Sequence, residues 1–488
     1  MKQKLFKKVL VANRGEIAVR VMRACAELGI ETVAIYSDAD RNAVHARYAD
    51  EAHHIGPAAP SESYLQLEKI VKLAGDVGAQ AIHPGYGFLS ERPEFPEACA
   101  AAGLAFIGPP ADAMRAMGSK VEARALAESH GVPVTPGTGA LEEPEAAARA
   151  AREIGFPVIV KPSGGGGGIG MKIVEKEGEL GAAIESSRNA ARSAFGDPTV
   201  YVEKYVRDPR HVEIQIIADR HGNVAHLGER ECSIQRRHQK IMEETPSPAV
   251  TAEIRERMGE AAVRAVRAAG YVNAGTVEFI FSRGDFYFLE VNARLQVEHP
   301  ISEQVTGIDL VKEQIRVASG LPLSFSQEEV TWTGHSIEMR INAEDPARRF
   351  IPNPRRIARW VTPGGPGVRV DSGFGPGSEV PPNYDSLVAK LVVHGSDRAE
   401  AIARARRALA EFVLVGPATT IPYHRAILES ADFKAGRLTT HFIDDHPELL
   451  EDMKRFLTQK SPLDYGADPR HVAAAAAAVA ATIAGASG

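Results

Sequence analysis

The sequence predicts an α/β protein whose C-terminal part changes to an α+β pattern. Apolar strands alternate with helical periodicity over the first 115 residues, which is typical of a parallel sheet covered by helices. A hairpin with polar side chains on one face follows at 275–300, and another alternating strand begins near Gly334. A length of 488 residues suggests about three domains. We expect domains at 1–115, 116–330 and 331–447, followed by an Ala-rich tail at 448–488.

Composition and charge exclude several classes of protein. Hydrophobic residues make up 44% of the chain and charged residues 25%, as in ordinary globular proteins. The net charge of −6 argues against a general nucleic-acid-binding protein. The three cysteines lack metal-ligand spacing and are too few for a disulfide framework, which fits a reducing cytoplasm. Cys232 lies in a charged segment, where a buried thiol is favoured over a reactive one.

The first apolar segment is interpreted as a strand and not as a signal peptide. Val9–Ala12 is short and is followed at once by polar residues. No segment offers about 20 consecutive apolar residues, so we expect no membrane span. The low-complexity residues 471–488 indicate a frayed helix or flexible tail, with partner docking as the alternative.

Residues 8–36 form a predicted βαβ unit. Its parts are the strand Lys8–Ala12, the helix Glu16–Leu28 with Gly29 as its stop, and the strand Glu31–Tyr36. The loop Asn13-Arg14-Gly15 has a single glycine where a dinucleotide fingerprint needs three, which argues against NAD.

Two further predicted strands lead into loops with turn residues. Ala81–Ile82 leads into the segment 83–91, and Phe106–Ile107 leads into 108–110. Because open α/β sheets bind ligands where their strands end, these loops are candidate ligand-binding segments.

A Pro/Gly-rich segment at 131–137 predicts a hinge. It follows a predicted helix at Lys120–Ser129 and opens a small separate unit at 133–206. That unit contains a helix at 143–154 and strands at Pro157–Lys161, Met171–Glu175 and Thr199–Tyr205. Since closing such a unit would expel water from a site, we expect it to act as a lid.

A run of five glycines follows Lys161 closely, at 164–168. Glycine inside an ordered element costs about 0.5–1 kcal/mol relative to alanine, so the run indicates backbone that approaches a ligand. Phosphate is the usual ligand of such backbone N–H groups. The lysine precedes the glycines, which excludes a P-loop. A flexible linker is the alternative, and the flanking strands disfavour it.

The segment 275–300 carries the strongest signal of a ligand site. Its two arms read as strands joined through Gly284-Asp285. Period-two alternation places Glu290, Asn292, Arg294, Gln296 and Glu298 on one face, and Leu289, Val291, Leu295 and Val297 toward a core. Glu278 can lie beside Glu290, and two carboxylates with an amide suit a divalent cation such as Mg²⁺. The alternative is the solvated face of an antiparallel sheet.

Two more segments carry charge in a regular pattern. The segment 229–240 interleaves acids with bases and lacks aromatics, which favours a wall of donors for a polyanionic small molecule over a nucleic-acid patch. Alternation at 334–346 points Ile337, Met339 and Ile341 to a core and Ser336, Glu338, Arg340 and Asn342 away from it. An ordinary amphipathic strand is the alternative for the second segment.

Together these segments resemble the ATP-grasp superfamily and, within it, the biotin carboxylases. The resemblance covers residues 5–447 and rests on Ala12–Ala18, His83–Glu91, Gly165–Met171, Arg236–Lys240, Asn292–His299 and Arg340–Pro346, in that order. It implies a parallel N-terminal domain, an ATP-grasp core with a lid, and a C-terminal biotin carboxylase domain. It also implies an ATP-dependent ligase that makes carboxyphosphate from bicarbonate and transfers its CO₂ to N1 of biotin.

The resemblance implies roles for individual residues. ATP would be held by Lys120, Lys161, Gly167, Gly168, Glu203, Lys204, Tyr205, Val206, His211, Gln235, His238, Glu278 and Glu290. Two Mg²⁺ or Mn²⁺ ions would be bound by Glu278, Glu290 and Asn292, and bicarbonate by Lys240, Arg294, Gln296 and Val297. Tyr86 and Arg340 would form the biotin pocket. Catalysis would fall to Lys240, Arg294, Glu298 as general base, and Arg340 as partner of the biotin oxyanion.

Two departures from the family pattern bear on function. Ile169 stands where many members carry an arginine in the glycine loop, and the chain lacks an Ala-Met-Lys-Met biotinylation sequence. We therefore expect a separate biotin carboxyl carrier protein and a carboxyltransferase subunit. We also expect a homodimer, which is common in the family. The final acceptor is left open among acetyl-CoA, propionyl-CoA and pyruvate.

Two alternative functions fit these residues less well. Another ATP-grasp ligase, joining a carboxylate to an amine, is disfavoured by Arg340–Pro346 and by Tyr384-Asp385-Ser386. A non-catalytic nucleotide-binding scaffold is disfavoured because Lys240, Arg294 and Glu298 are all present.

Overall fold

A five-stranded parallel sheet forms the N-terminal part of the protein. The computed structural model describes residues 5–139, 144–163, 169–459 and 461–464. The first elements are β1 (Lys8–Val11), α1 (Gly15–Glu27), β2 (Glu31–Ser37), α2 (Val44–Tyr48), β3 (Glu51–Gly56), α3 (Leu67–Asp76), β4 (Ala81–His83), α4 (Glu94–Ala101), β5 (Ala105–Phe106) and α5 (Ala111–Gly118). The strand order β3-β2-β1-β4-β5 changes direction between β1 and β4. The loops after these two strands therefore diverge and open a crevice, and Asn13 Nδ2 bridges it to the Pro84 carbonyl at 2.7 Å.

A small three-stranded unit follows the helix α6 (Lys120–Ser129). It consists of α7 (Pro144–Ile154), β6 (Val158–Pro162), β7 (Lys172–Val174), α8 (Leu180–Phe195) and β8 (Val200–Lys204), with strand order β7-β6-β8. The helix α8 was not predicted from the sequence. Gly167, Gly168 and residue 143 lie outside the described residues.

The segment predicted as a hinge bonds to both neighbouring units. The Pro133 carbonyl accepts a hydrogen bond from Phe288 N, in the large sheet, at 2.7 Å. The Pro136 carbonyl accepts one from Lys204 N at 2.7 Å, on the lid side. Thr135 lies between these two anchors, and its carbonyl accepts from Arg124 Nη2 at 2.6 Å. The segment is therefore hydrogen-bonded to both units, on either side of Thr135.

One eight-stranded sheet spans the rest of the chain. The elements up to residue 330 are β9 (Arg210–Ala218), β10 (Val224–Arg236), β11 (Gln239–Thr245), α9 (Ala252–Ala268), β12 (Asn273–Ser282), β13 (Asp285–Asn292), α10 (His299–Thr306) and α11 (Leu310–Ala318). The later strands are β14 (His335–Asn342), β15 (Glu344–Asp345), β16 (Ile351–Pro352), β17 (Arg359–Val361), β18 (Val368–Ser372), β19 (Leu387–Gly395) and β20 (Val413–Val415). The order β13-β12-β9-β10-β11-β14-β19-β18 runs without a break across the predicted boundary at 330.

Helices cover the C-terminal side of this sheet. They are α12 (Arg398–Glu411), α13 (Ile421–Glu429), α14 (Ala431–Lys434), α15 (Phe442–Asp445), α16 (Leu449–Asp452) and α17 (Lys454–Leu457). Leu449 and Met453 are buried with Ile337, Met339 and Ile341, so the folded unit continues past the predicted start of the tail at 448. Residues 465–488 lie outside the described ones. Within the described ranges, no helix is long and apolar enough to cross a membrane.

The hairpin β12–β13 corrects three details of the sequence prediction. Ser282 pairs with Asp285, so the turn is Arg283-Gly284, both with positive φ, and not Gly284-Asp285. The register shifts between Glu278 and Phe279, and this bulge leaves Leu289 lining the cleft instead of the core. The strand ends at Asn292 and does not reach Glu298.

Candidate active site

A single cleft collects the predicted site residues. It lies between the N-terminal sheet, the lid and the polar face of the large sheet. Each predicted residue other than Gly167 and Gly168 lines it, including those that follow the end of β13. Val297 also lines the cleft, because the irregular backbone after Asn292 does not keep the alternation that predicted it in a core.

Lys240 is the centre of the cleft's charge network. It is brought into the cleft by the tight turn Arg237-His238, both with positive φ, between β10 and β11. Its Nζ lies 2.6 Å from Glu213 Oε2, 3.0 Å from Glu278 Oε1 and 2.7 Å from Glu298 Oε1. Burial would lower the pKa of Lys240, but the three carboxylates raise it well above its ordinary value. Lys240 is therefore cationic at neutral pH.

Glu298 is held as a carboxylate by two cations. Its Oε1 accepts from Lys240, and its Oε2 accepts from Arg340 Nη2 at 2.9 Å. Burial would raise the pKa of Glu298, but Lys240, Arg340 and Arg230 lower it below its ordinary value. An ionised carboxylate with fixed orientation is suited to accept a proton from a bound substrate.

Two arginines line the cleft from different elements, and one of them contacts Glu298. Arg340 on β14 also donates through Nε to Glu243 Oε1 at 2.7 Å. Arg294 lies after β13, where its Nε donates to Glu91 Oε2 at 3.0 Å and its Nη2 to Asn292 Oδ1 at 3.0 Å. These guanidinium groups offer fixed donor forks for a planar anion.

The donor set on β12 and β13 fits a divalent cation. Glu278 and Glu290 are paired directly across the two strands, and Asn292 follows on the same face. Lys120 Nζ forms an ion pair with Glu290 Oε2 at 2.9 Å. Asn292 Nδ2 donates a hydrogen bond to Glu278 Oε1 at 2.8 Å. Two carboxylates and an amide are hard oxygen donors of the kind Mg²⁺ and Mn²⁺ prefer.

A second cluster of potential metal ligands beside Glu278 is occupied by the ammonium group of a lysine. Ligand atoms of His211, Glu213 and Glu278 lie within 4.8 Å of one another. The Lys240 ammonium bonds to both carboxylates, so the protein itself supplies the cation there. His211 Nε2 lies 3.1 Å from Glu278 Oε2. Burial would lower the pKa of His211, but Glu278 raises it.

The lid side of the cleft is organised by Glu203. Its carboxylate lies 2.5 Å from Lys161 Nζ and 3.4 Å from Arg124 Nη1. Lys204 turns its Nζ away, toward the carbonyls of Gly155 and Phe156 at 2.8 and 3.1 Å. The Lys204 side chain is thus bound within the lid, which leaves only its backbone for a ligand in the cleft.

Sequence reasoning missed the residues that support this network. Arg230 is fully buried and donates to Glu213 at 2.5 Å, Gln215 at 2.6 Å and Gln296 at 2.8 Å. Glu213 in turn contacts Lys240. Alternation along β9 would have indicated the polar face of the sheet. Polar residues at 211, 213 and 215 alternate there with the apolar Val212, Ile214 and Ile216.

Only part of the segment 229–240 lines the cleft, so the prediction that the whole segment offers donors to a ligand is wrong for its first residues. Gln235 to Lys240 line the cleft, as the prediction required. Glu229 and Glu231 instead bond to Arg255 and Arg210 and are buried within the sheet. Cys232 is buried, as expected, and burial raises the pKa of its thiol well above its ordinary value.

Known proteins similar to this chain are carboxylase subunits and domains. A pyruvate carboxylase subunit of Methanothermobacter thermautotrophicus is 58% identical over 443 residues, which cover 91% of this chain and 90% of that protein. Biotin carboxylase 1 of Bacillus subtilis is 54% identical over 91% of this chain and 99% of its own length. The biotin carboxylase domain dimer of Hydrogenobacter thermophilus 2-oxoglutarate carboxylase, solved with MgADP, ADP and bicarbonate, has 48% identity and a TM-score of 0.86. The alignment covers 92% of this chain and 99% of that domain.

Family models account for most of the chain. Residues 5–114 match the biotin carboxylase N-terminal domain, 119–326 the ATP-binding domain of the carbamoyl-phosphate synthase L chain, and 338–445 the biotin carboxylase C-terminal domain. Fold and cleft together define an ATP-dependent ligase of the ATP-grasp class. The chain belongs to the biotin carboxylase family.

Proposed function

We propose that this chain uses ATP and bicarbonate to carboxylate N1 of biotin on a separate carrier protein, through carboxyphosphate. The observation that carries the proposal is the buried Lys240 ammonium, which joins Glu298 to the candidate metal ligand Glu278. A base, a cation and a metal-type donor set then meet where bicarbonate and the ATP phosphates would lie.

In the first step Glu298 accepts the proton of bicarbonate, and the resulting oxygen attacks the γ-phosphorus of ATP while ADP leaves. Lys240, Arg294, Gln296 and the backbone of Val297 hold the bicarbonate in line. Glu278, Glu290 and Asn292 would hold a divalent cation, which would neutralise phosphate charge. Lys120, Lys161, Gln235 and His238 orient the phosphates and ribose, and Glu203 to Val206 meet the adenine.

In the second step the C–O bond of carboxyphosphate breaks to give CO₂ and inorganic phosphate; the phosphate accepts the proton of biotin N1, and N1 then forms its bond to CO₂. Arg340 donates to the ureido oxygen as negative charge develops there, and Tyr86 shapes the pocket. In the structure the Tyr86 hydroxyl bonds to Glu16, which fixes the ring at the edge of the cleft.

ADP release tests this function directly. The isolated chain should release ADP only slowly when either bicarbonate or free biotin is left out of the assay, because Glu298 and Arg340 act on those substrates. Equal rates with and without bicarbonate would refute the assignment.

Lys161→Ala should mainly raise the ATP KM, because Lys161 meets the nucleotide and not biotin. Loss of one charge-assisted hydrogen bond corresponds to about 1.5–3 kcal/mol, or roughly 10–150-fold in affinity. The measurement is the ATP KM at saturating biotin. Lys172→Ala, an exposed lysine of the same lid, is the matched control and should change it little. A selective loss of biotin affinity in Lys161→Ala would contradict the role.

The unit 133–206 should close over ATP as a lid, since the residues on either side of Thr135 are anchored to the core and to the lid. Hydrogen exchange with and without a non-hydrolysable ATP analogue measures this. We expect slower exchange across 158–174 on binding. Unchanged exchange of 163–171 would count against lid closure.

The proposed partners are a biotin carboxyl carrier protein and a carboxyltransferase subunit, with a second copy of the chain completing a homodimer. We further propose a cytoplasmic location and domains at 1–115 and 116–330, with a third domain that begins at 331 and extends past 447, since Leu449 and Met453 pack in its core. Relatives named for pyruvate, 2-oxoglutarate and biotin carboxylases support a shared first half-reaction and leave the acceptor open. Identification of the chains that co-purify with this protein would determine the carboxyl acceptor.

A further inference from the structure

A pair of buried acids lies behind Arg340. Glu243 on β11 and Glu338 on β14 are directly opposite each other in the antiparallel register. Residues in that relation share a face and have Cβ atoms about 4.5–5.5 Å apart. Glu243 is 1% exposed and Glu338 is 0% exposed, so neither carboxyl group is solvated.

The hydrogen bonds of this pair are incomplete. Arg340 donates to Glu243 Oε1 through Nε at 2.7 Å, but Glu243 Oε2 has no partner. Both oxygens of Glu338 also lack one. Buried polar atoms without partners are costly, and two carboxylates at this separation cannot both stay ionised. One proton held between them would remove the repulsion and give the facing oxygens partners.

The surrounding charges decide which acid keeps the proton. Burial and the nearby Glu298 carboxylate raise the pKa of Glu243 to about 7, but Arg340, in direct contact, and Lys240 oppose the rise. Glu338 faces Lys390 of β19, but that ammonium donates to the Val297 carbonyl at 2.9 Å and lies 3.2 Å from Glu16. Burial and then Glu243 raise the pKa of Glu338 well above its ordinary value, although Lys390 and Arg340 oppose the shift. Glu338 is therefore the acid that stays neutral.

We propose that Glu338 holds a proton at neutral pH and donates it to the free oxygen of Glu243, so that the two acids form one singly charged unit that positions Arg340. The inference rests on the proposed function, since it concerns how Arg340 is aimed at biotin. A neutral acid can donate this hydrogen bond, whereas a second carboxylate would repel Glu243 and pull the guanidinium out of line. Glu338 is thus a positioning residue and does not touch substrate.

Three variants test the unit. Glu338→Gln keeps the shape and an N–H donor, and should retain biotin carboxylation within about threefold, whereas Glu338→Leu should lower kcat about tenfold, as expected for a lost hydrogen bond to a charged group. Glu243→Gln removes the negative charge that pairs with Arg340, and it should lower kcat more than Glu338→Gln does. The ATP KM should stay unchanged in all three, because Lys120 and Lys161 are untouched.

An infrared difference spectrum reads the proton itself. Wild type minus Glu338→Gln should show the carbonyl band of a protonated carboxyl group at pH 7. A missing band would overturn the proposal, and so would equal losses of kcat in Glu338→Gln and Glu338→Leu. If Glu338→Leu does not fold, the band and the kcat of Glu338→Gln still decide the outcome. Failure of the wild type to release ADP in response to biotin would instead overturn the proposed function, and the band is read independently of that result.

Discussion

Lys240→Met should abolish most bicarbonate-dependent ADP release and also destabilise the fold. The substitution leaves the carboxylates of Glu213, Glu278 and Glu298 without their shared ammonium. Loss of one partner from a buried ion pair costs about 3–5 kcal/mol, and loss of one group that stabilises transition-state charge lowers kcat by about 10²–10³-fold. Chemical denaturation and ADP release in the presence of bicarbonate measure the two effects.

The destabilisation by Lys240→Met should depend on pH in a fixed direction. Lys240 lowers the pKa of Glu298 below its ordinary value of 4.5 in the folded protein. That contribution to the free energy of unfolding is present above pH 4.5 and is lost as the pH falls through the lowered pKa. The difference from wild type should therefore be largest near neutrality and shrink in acid.

Lys72→Met is the matched control for Lys240→Met. Lys72 forms an exposed pair with Asp76, four residues further along α3. Exposed pairs contribute about 0.2–1 kcal/mol, so this variant should stay close to wild type in both stability and activity. Equal behaviour of the two variants would contradict the central role of Lys240.

Arg340→Ser should lower biotin carboxylation by about 10²-fold or more, the size usual for losing one oxyanion partner. Interactions that strengthen as charge develops act on the chemical step more than on ground-state binding. The ATP KM should change little, since Arg340 contacts Glu243 and Glu298 and lies apart from Lys120 and Lys161. Carboxybiotin formation at saturating ATP is the measurement.

Arg220→Ser serves as the control for Arg340→Ser. Arg220 is exposed in the turn between β9 and β10, away from the lining of the cleft. It should carboxylate biotin at the wild-type rate. If Arg340→Ser stays near wild type, or mainly raises the ATP KM, the assigned role of Arg340 is wrong.

Local sequence patterns predicted several of the elements that carry the site. The helix predicted at Lys120–Ser129 is observed as α6 with those limits, and β1, α1 and β2 begin and end within a residue of their predicted limits. The pairing of Glu278 with Glu290 is confirmed, and Ile337, Met339 and Ile341 lie in a core as predicted. Caps, helical periodicity and strand alternation depend on near neighbours, so a single sequence contains them.

The sequence by itself predicted the elements of residues 8–36, α6, the hairpin β12–β13 and β14, and its motifs indicated the family and the side chains assigned to the site. Only the tertiary structure decided that β11 pairs with β14 across about 95 residues of chain, which brings Glu243, Glu338 and Arg340 together. It also decided that Arg230 and Glu213 support Lys240, and that Leu289 and Val297 face the cleft. The physical reason is that strand pairing, bulges and buried charge networks follow from long-range packing, which selects partners that local alternation cannot specify.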